Sequence, residues 1–197
     1  MPLFLSSHAR RTILMSVFIV TSIAISTSAA AQQSDEFSWW QSIKDHVNNV
    51  ADNGDDELYV SGVAHHGRST YTAEKLAQLN EHAWGLGYGK TLRNDSGNDE
   101  SLFAFVLKDS HRHPEYQAGY AYEWIYQIPH TSLELGGGYT AMMMSRQDYF
   151  DSVPFPIALP VASIGTKKAK LMFSYVPRLS SSKNSGDVLL IFGRIAF

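Results

Sequence analysis

From Leu58 onward the sequence breaks into eight short strand-like segments separated by Gly, Asn, Asp, Ser and Pro. Each is too short to cross a membrane as a helix, and most are rich in the aromatic and β-branched residues that suit a pleated sheet. The segments cover 58–68, 83–93, 101–109, 117–127, 132–145, 157–164, 169–177 and 187–197. Eight such strands with turn residues between them predict an antiparallel barrel or sandwich.

The connections favour a membrane barrel. By this division long connections (69–82, 110–116, 146–156 and 178–186) alternate strictly with short turns after segments two, four and six. Outer-membrane barrels alternate long external loops with short periplasmic turns in this way. The last segment adds a second sign, because its apolar residues share one parity: Leu189, Ile191, Gly193, Ile195 and the terminal Phe197.

The N-terminal region predicts export. Arg10 and Arg11 precede an apolar run, Ile13 to Ile25, and small residues follow at 28–31. We therefore assign residues 1–31 to a cleaved signal peptide, because the run is short for a membrane anchor. Residues 32–54 are predicted to form an amphipathic periplasmic or interfacial helix, and residues 55–197 the transmembrane barrel.

Composition excludes several classes of protein. Removing residues 1–31 leaves 14 Lys and Arg against 19 Asp and Glu, a net charge of −5, so a nucleic-acid partner is not expected. The sequence has no cysteine, which rules out a disulfide framework and a thiolate metal site. We expect neither a metal nor another cofactor, and a monomer in the membrane.

The predicted interior is apolar rather than a water-filled pore. The third segment is apolar on both faces from Leu102 to Leu107. Three glycines share one face of the second segment: Gly85, Gly87 and Gly89. If that face points inward it leaves either a slot for an acyl chain or relief for the curvature of the barrel.

A histidine, an aspartate and a serine are predicted to meet at the external rim. The first segment ends near His65-His66 and the third at Asp109-Ser110, and both run in the same direction. Such a set can transfer an acyl group: an imidazole takes a proton, a carboxylate orients it, and a hydroxyl attacks or polarises the ester. Spacing alone does not establish this site, because Ser and Asp are common in loops and the sequence has no nucleophile-elbow motif.

Two prolines predict a weak seam between the sixth and seventh strands. Pro160 and Pro177 cannot donate a hydrogen bond to a neighbouring strand. The seam could serve as a lateral door for a lipid chain, or the prolines could simply trim the ends of two strands.

Several spaced motifs together resemble the lipid A palmitoyltransferase (PagP) family over about residues 35–197. They are Tyr59-Val60 through His66-x-Arg68, Asn80-Glu81-x-x-Trp84-Gly85-x-Gly87, Phe105-x-x-Lys108-Asp109-Ser110, Ala118-Gly119-Tyr120, Pro154-x-Pro156 with Leu159-Pro160-x-Ala162-Ser163-x-Gly165, and Tyr175-x-Pro177. The resemblance implies an all-β protein, an eight-stranded antiparallel outer-membrane β-barrel with an N-terminal amphipathic helix. It also implies transfer of a palmitoyl chain from the sn-1 position of a phospholipid to lipid A.

Matching the family motif by motif assigns roles to individual residues. The catalytic positions fall on His66, Asp109 and Ser110, and the lateral-gate prolines on Pro160 and Pro177. Substrate-binding positions fall on Tyr120, on Ala121 as the floor that measures chain length, and on Arg146 as a possible phosphate contact. A second proline-flanked gap of the family would fall on Ser61 and Ala83, so acceptor access by that route is in doubt.

Two other functions remain open at this point. A non-enzymatic eight-stranded barrel of the adhesin or stress type would share the fold, and a lipid-binding barrel would share the apolar interior. Four histidines at the rim, His65, His66, His111 and His113, could also suggest a metal site. Without a fixed ligand pattern we expect no metal there.

Overall fold

The computed structural model describes residues 38, 40–148, 150–178 and 186–197, so the expected signal peptide lies outside the described residues. The described chain divides between Val47 and Asn48 into two units, and the second contains the barrel and the candidate site. Residues 40–53 are helical and are called α1. Trp40 and Ile43 on this helix are exposed. No helix in the described part of the chain is long and apolar enough to cross a membrane.

Eight antiparallel strands close into one barrel in the order in which they occur along the chain. Their bounds are β1 Asp55–His66, β2 Gly85–Arg93, β3 Asp99–Lys108, β4 Pro114–Gln127, β5 Glu134–Ser145, β6 Phe155–Thr166, β7 Ala169–Val176 and β8 Val188–Ala196. Between β1 and β2 lies a short helix, α2 (Ala73–Leu76), which begins at a Thr72 side-chain cap. β1 pairs with β8, which confirms the predicted closed eight-stranded barrel.

The predicted strands agree with the observed ones to within three residues, but the strict alternation of connection lengths was wrong. β4 begins at Pro114, so the β3–β4 connection is 109–113, which is shorter than the β4–β5 connection 128–133. We call the end of the barrel with the connections 67–84, 109–113, 146–154 and 177–187 the loop end, and the opposite end the turn end.

Alternating side chains divide the barrel wall into an apolar outside and a mixed inside. Outward positions carry exposed large apolar residues, including Leu86, Trp124, Tyr139, Ile164 and Ile195. Such a surface suits lipid, where an outward-facing apolar band with aromatic residues is expected. The inward positions form two regions of opposite character.

The interior is apolar only toward the loop end, which corrects the prediction of an interior that is apolar throughout. Toward the turn end, Arg194 is buried and pairs with Asp99 at 2.7 Å and Glu123 at 2.9 Å. Lys170 pairs with the same Asp99 at 2.8 Å and with Glu134 at 3.2 Å. Buried charges persist when they are paired and hydrogen-bonded, and this network fills the turn end of the barrel. The five residues named here come from five different strands, a clustering that the periodicity of any one strand cannot reveal.

The inward glycines of β2 do not leave an open slot. Gly85, Gly87 and Gly89 do face the interior, but a Cβ at these positions would meet the strand β3 backbone and inward side chains. Leu107 lies beside Gly85, Phe105 beside Gly87 and Tyr59 beside Gly89. The glycines therefore do not form an acyl slot; they allow close packing of the barrel wall.

Candidate active site

A β-bulge in β1 decides which histidine faces the interior. β1 pairs with β8 at Ser61–Phe192 and next at Val63–Ile191, so Gly62 is an extra residue without a partner. Before the bulge Tyr59 and Ser61 are buried, and after it Ala64 and His66 are buried. Because an inserted residue shifts the alternation by one, the bulge turns His66 inward and leaves His65 exposed.

His66 meets Ser110 at the loop end. The imidazole is fully buried, and its Nε2 lies 2.9 Å from Ser110 Oγ. Ser110 is held by its backbone as well, since its carbonyl accepts a hydrogen bond of 2.8 Å from the Asn80 amide. A hydroxyl hydrogen-bonded to an imidazole is the pair needed for proton transfer during acyl transfer. The structure therefore brings together two of the three residues predicted for catalysis.

Asp109 is close to this pair but has a different set of contacts. Its Oδ1 accepts hydrogen bonds of 2.8 Å from the backbone amides of His111 and His113, which folds the loop that follows. Its Oδ2 is buried and has no hydrogen-bond partner among the described residues. Asp109 thus fixes the backbone next to Ser110 and forms no hydrogen bond with His66.

The carboxylate beside His66 is Glu81. Its Oε1 lies 3.5 Å from His66 Nδ1, which is long for a hydrogen bond, and Nδ1 has no hydrogen-bond partner in the described part of the chain. The same Oε1 accepts the backbone N–H of His66 at 3.1 Å. Glu81 is therefore hydrogen-bonded to the backbone of His66 and faces Nδ1, the ring nitrogen on the side away from Ser110.

Arg68 holds Glu81 in place. Its guanidinium donates to Oε1 at 2.7 Å and to Oε2 at 2.8 Å, and it also donates to the His66 carbonyl at 3.0 Å. A two-pronged contact fixes the plane of a carboxylate as well as its position. These hydrogen bonds from Arg68 lower the pKa of Glu81 to about 2, so Glu81 is ionised at neutral pH. Arg68 and Glu81 both belong to the motifs that resemble the PagP family. Nothing in the sequence, however, indicated that their side chains lie next to the imidazole of His66.

Tyr71 packs against the other side of the imidazole. The two rings meet edge to face with their centroids 5.4 Å apart. Tyr71 belongs to the β1–β2 connection, which is tied to the last loop, since Thr70 Oγ1 donates to Asp187 at 2.6 Å. The β1–β2 connection and the β7–β8 connection are therefore held together beside His66.

An apolar cavity of about 300 Å³ opens below this pair. Residues of β3, β5, β6, β7 and β8 supply most of its apolar wall, among them Phe103, Met142, Leu159, Met172 and Leu190. Its deepest lining residues include Glu123 and Arg194 of the charged network. Since paired charges close the turn end, an apolar chain in this cavity would stop at that depth.

The three predicted substrate residues occupy different places. Ala121 is buried, faces inward and lines the cavity between its sheet partners Ser101 and Thr140. Arg146 lines the mouth, where its Nε lies 3.0 Å from Asp148 and 3.3 Å from Glu115. Tyr120 lies on the outward parity and donates a hydrogen bond of 3.0 Å to Glu100.

The strand pairing of the barrel wall is interrupted near Pro160 and Pro177. The described β6–β7 pairing ends at Val161–Ser174, although β6 continues from there to Phe155 and β7 to Val176. Pro160 pairs on its other side with Tyr139 of β5, and Pro177 follows the last residue of β7. A lateral gap in the backbone hydrogen bonds therefore lies at the depth of the apolar cavity.

A second interruption lies between β1 and β2. Their pairing ends at Ser61–Gly85, one residue before the bulge. Beyond the bulge, the backbone amide of Ala64 donates a hydrogen bond of 2.9 Å to the carbonyl of Glu81. Oε1 of Glu81 accepts a hydrogen bond from the backbone amide of His66. This seam is thus bridged by Glu81, and it carries Ser61 and Ala83, the positions to which the family resemblance assigned a second gap.

Comparison with known proteins agrees with this architecture. The family model described as "Antimicrobial peptide resistance and lipid A acylation protein PagP" matches residues 46–194. The chain belongs to this family. Three relatives named lipid A acyltransferase PagP come from Methylobacillus flagellatus, Bordetella parapertussis and Legionella pneumophila, at 31%, 36% and 39% identity. The matches cover 90%, 86% and 88% of this chain and 94%, 91% and 93% of those relatives, in the same order.

Proposed function

We propose that this protein is an acyltransferase of the bacterial outer membrane, which moves a palmitoyl chain from the sn-1 position of a phospholipid to lipid A. The observation that carries the proposal is the 2.9 Å contact between His66 Nε2 and Ser110 Oγ at the mouth of an apolar cavity. The relatives are named for lipid A acylation, and the apolar outer surface fits a membrane. Acyl transfer from one oxygen to another changes no oxidation state, so the reaction requires no redox cofactor.

The donor chain is proposed to lie in the cavity. About 300 Å³ suits one apolar chain, and the apolar part of the wall is built mainly of Phe, Leu, Met and Val. The donor acyl chain enters the cavity through the gap between β6 and β7 at Pro160 and Pro177. By this route it passes from the membrane to the cavity without crossing water. Ala121 is the proposed floor, and Arg146 at the mouth supplies a guanidinium that suits the phosphate of a lipid. Tyr120 is next to Ala121 in β4, but its side chain lies on the outer face of the barrel, so we propose no direct contact between Tyr120 and the donor chain in the cavity.

Acyl transfer then needs one proton to be moved twice. His66 takes a proton from the attacking hydroxyl, and the hydroxyl oxygen forms a bond to the ester carbonyl carbon. As the tetrahedral intermediate collapses, the bond from that carbon to the glycerol oxygen breaks, and the imidazolium returns the proton to the leaving lysophospholipid. Glu81 stabilises the imidazolium from the Nδ1 side, as a carboxylate does for the histidine of a triad.

Two routes differ in the identity of the attacking hydroxyl. Ser110 attacks the donor first and forms an acyl-enzyme, or Ser110 passes the proton of a lipid A hydroxyl to His66. Incubation with phospholipid alone, followed by mass spectrometry of the intact protein, separates them, because the first route adds one palmitoyl group to Ser110.

The function is tested with purified full-length protein in phospholipid and lipid A micelles. Ser110→Ala and His66→Ala should abolish the mass gain of lipid A while the heat-resistant gel mobility of a folded barrel is retained. His65→Ala is the matched control, since it removes the adjacent exposed imidazole and should leave transfer intact. Full transfer by a folded Ser110→Ala protein would overturn the proposed chemistry, and unmodified lipid A with wild-type protein would favour a lipid-binding barrel.

A further inference from the structure

A cluster of metal-ligand side chains lies at the cavity mouth, apart from the His66–Ser110 pair. Asp109 and His111 come from the β3–β4 connection, and Asp148 comes from the β5–β6 connection. One donor atom from each of these residues lies within 4.8 Å of the other two. His111 Nδ1 lies 3.8 Å from Asp148 Oδ2. The three groups therefore converge from two different loops.

The free oxygen of Asp109 gives an independent reason to expect a ligand. Its side chain is wholly buried, Oδ1 is saturated by two backbone amides, and Oδ2 lacks a hydrogen-bond partner within the described residues. A buried acceptor without a partner destabilises the folded protein, and more so when it is charged. Oδ2 faces the rim histidines, since it lies 4.0 Å from His113 Nδ1. A cation between these groups would satisfy it.

Charged groups of both signs surround the mouth. Three carboxylates, Asp109, Glu115 and Asp148, lie near the guanidinium of Arg146, and Lys75 and Lys108 line the same cavity. The case for a cation therefore rests on the geometry of the ligand atoms and not on net charge. His111 and His113, stacked with centroids 6.5 Å apart, add nitrogen donors without adding negative charge.

The mixture of donors selects the kind of ion. Imidazole nitrogen with carboxylate oxygen suits zinc and similar transition metals, whereas calcium and magnesium take oxygen ligands. Zinc–ligand bonds of about 2.0–2.2 Å place tetrahedral ligand atoms roughly 3.4 Å apart. The loops must then close by about 1 Å relative to the separations above, a movement within the reach of two surface connections.

We propose that Asp109, His111 and Asp148 bind a zinc-class divalent ion, with His113 in reach as a fourth ligand, and that the bound ion inhibits acyl transfer. The inhibition rests on the proposed function. An ion bound by both loops links them across the cavity mouth. One of its ligands is Asp109, the residue immediately before Ser110. Approach of the acceptor hydroxyl to Ser110 is therefore blocked while the ion is bound.

Binding is tested first, without any reaction. Tag-free full-length protein, folded in detergent and freed of metal with EDTA, is titrated with ZnCl₂ by calorimetry. We expect one saturable site in the wild type, at least tenfold weaker binding in His111→Ala and Asp148→Asn, and no change in His82→Ala, which removes an exposed histidine elsewhere at the loop end. The absence of saturable zinc binding, or wild-type binding by both variants, would overturn the site. MgCl₂ should give no saturable heat, and binding of Mg²⁺ as tight as Zn²⁺ would refute the assignment to a zinc-class ion.

Inhibition is tested second, with transfer measured in EDTA and in ZnCl₂. We expect zinc to reduce wild-type transfer at least tenfold, EDTA to restore it, and His111→Ala to keep the basal rate without the zinc response. Zinc binding with an unchanged transfer rate would overturn inhibition and leave the site standing. A wild type that transfers nothing even in EDTA would refute the proposed function, while the calorimetric result would still decide the metal site.

Discussion

Replacing Glu81 with Gln removes the charge that faces His66 and keeps most of the packing. Gln can still accept the backbone N–H of His66 and one hydrogen bond from Arg68, so the seam between β1 and β2 should remain closed. The change isolates the electrostatic contribution of the carboxylate to the imidazolium. We therefore expect a loss of transfer rate in a barrel that folds normally.

The expected size follows from the 3.5 Å separation of Glu81 Oε1 and His66 Nδ1. At 4 Å two unit charges interact by about 1 kcal/mol in water and about 4 kcal/mol near a protein surface. Glu81 is one-third exposed and shares its charge with Arg68, so we take the lower part of that range, about 1–2 kcal/mol. That energy corresponds to a roughly 5- to 30-fold fall in kcat.

The pH profile distinguishes this role from a merely structural one. The pKa of Glu81 is lowered to about 2 by the hydrogen bonds from Arg68, so Glu81 is ionised from pH 4 to 8 and does not produce an acid limb there. An acid limb in that range reports protonation of the imidazole that must accept a proton. Without the carboxylate the imidazolium is less stable, so the limb should move to lower pH in Glu81→Gln.

The assay is initial-rate transfer at saturating phospholipid and lipid A across pH 4–8, with gel mobility as the check of folding. Glu81→Asp should recover part of the rate, since it restores the charge at a greater distance. Glu74→Gln is the matched control, because Glu74 is an exposed carboxylate in α2 of the same connection. A folded Glu81→Gln protein with the wild-type rate and the wild-type pH profile would refute the reasoning.

Two further predictions concern the path and the length of the donor chain. With cysteines replacing Pro160 and Pro177, oxidation should close the lateral gap and stop transfer, and reductant should restore it; unchanged activity of the oxidised, cross-linked protein would exclude this route. Ala121→Gly should admit one more methylene, worth about 0.8 kcal/mol or roughly fourfold in preference, and Ala121→Leu should shorten the preferred chain by overpacking. Transfer from phospholipids of graded chain length measures both, and an unchanged profile in the two variants would remove Ala121 from the floor.

The strands and the inward parities were predictable because both depend on local patterns. Turn residues separate the segments, and alternation places the last apolar parity of β8 on the outside, as in Ile191 and Ile195. His66 is the instructive exception, since strict alternation from Tyr59 would turn His65 inward. The bulge at Gly62 reverses the parity, and its only trace in the sequence is a glycine inside a strand.

Contacts between distant segments could not be predicted in the same way. Glu81 follows His66 by fifteen residues, and its approach depends on how the β1–β2 connection folds back over the seam. The charged network at the turn end has the same origin, since Arg194 and Asp99 are 95 residues apart. Single-strand periodicity places Arg194 and Asp99 inside the barrel but does not say which charges meet.

The run Gly136-Gly137-Gly138 in β5 shows the same limit at the scale of one residue. The sequence presents three equivalent glycines, and the sequence alone does not say which of them the fold requires. At Gly137 a Cβ would have no atom of the described residues within 4 Å, whereas at Gly138 it would overlap the backbone oxygen of Tyr122 on β4. The β4–β5 wall is therefore tightly packed at one glycine and open at the next.

Alanine at these two positions should have opposite effects on stability. Gly137→Ala should stabilise the barrel by about 0.4–1 kcal/mol, because alanine restricts the unfolded chain and meets no atom in the folded one. Gly138→Ala should destabilise it by at least 1–3 kcal/mol, because the backbone of β4 cannot move aside as a flexible side chain would. Urea titration of the purified barrels in detergent, followed by gel mobility, measures the difference. Equal midpoints for the two variants would show that β4 and β5 are not packed as closely at Tyr122 as described, and would weaken the same reasoning for Ala121, one residue away on the cavity side of β4.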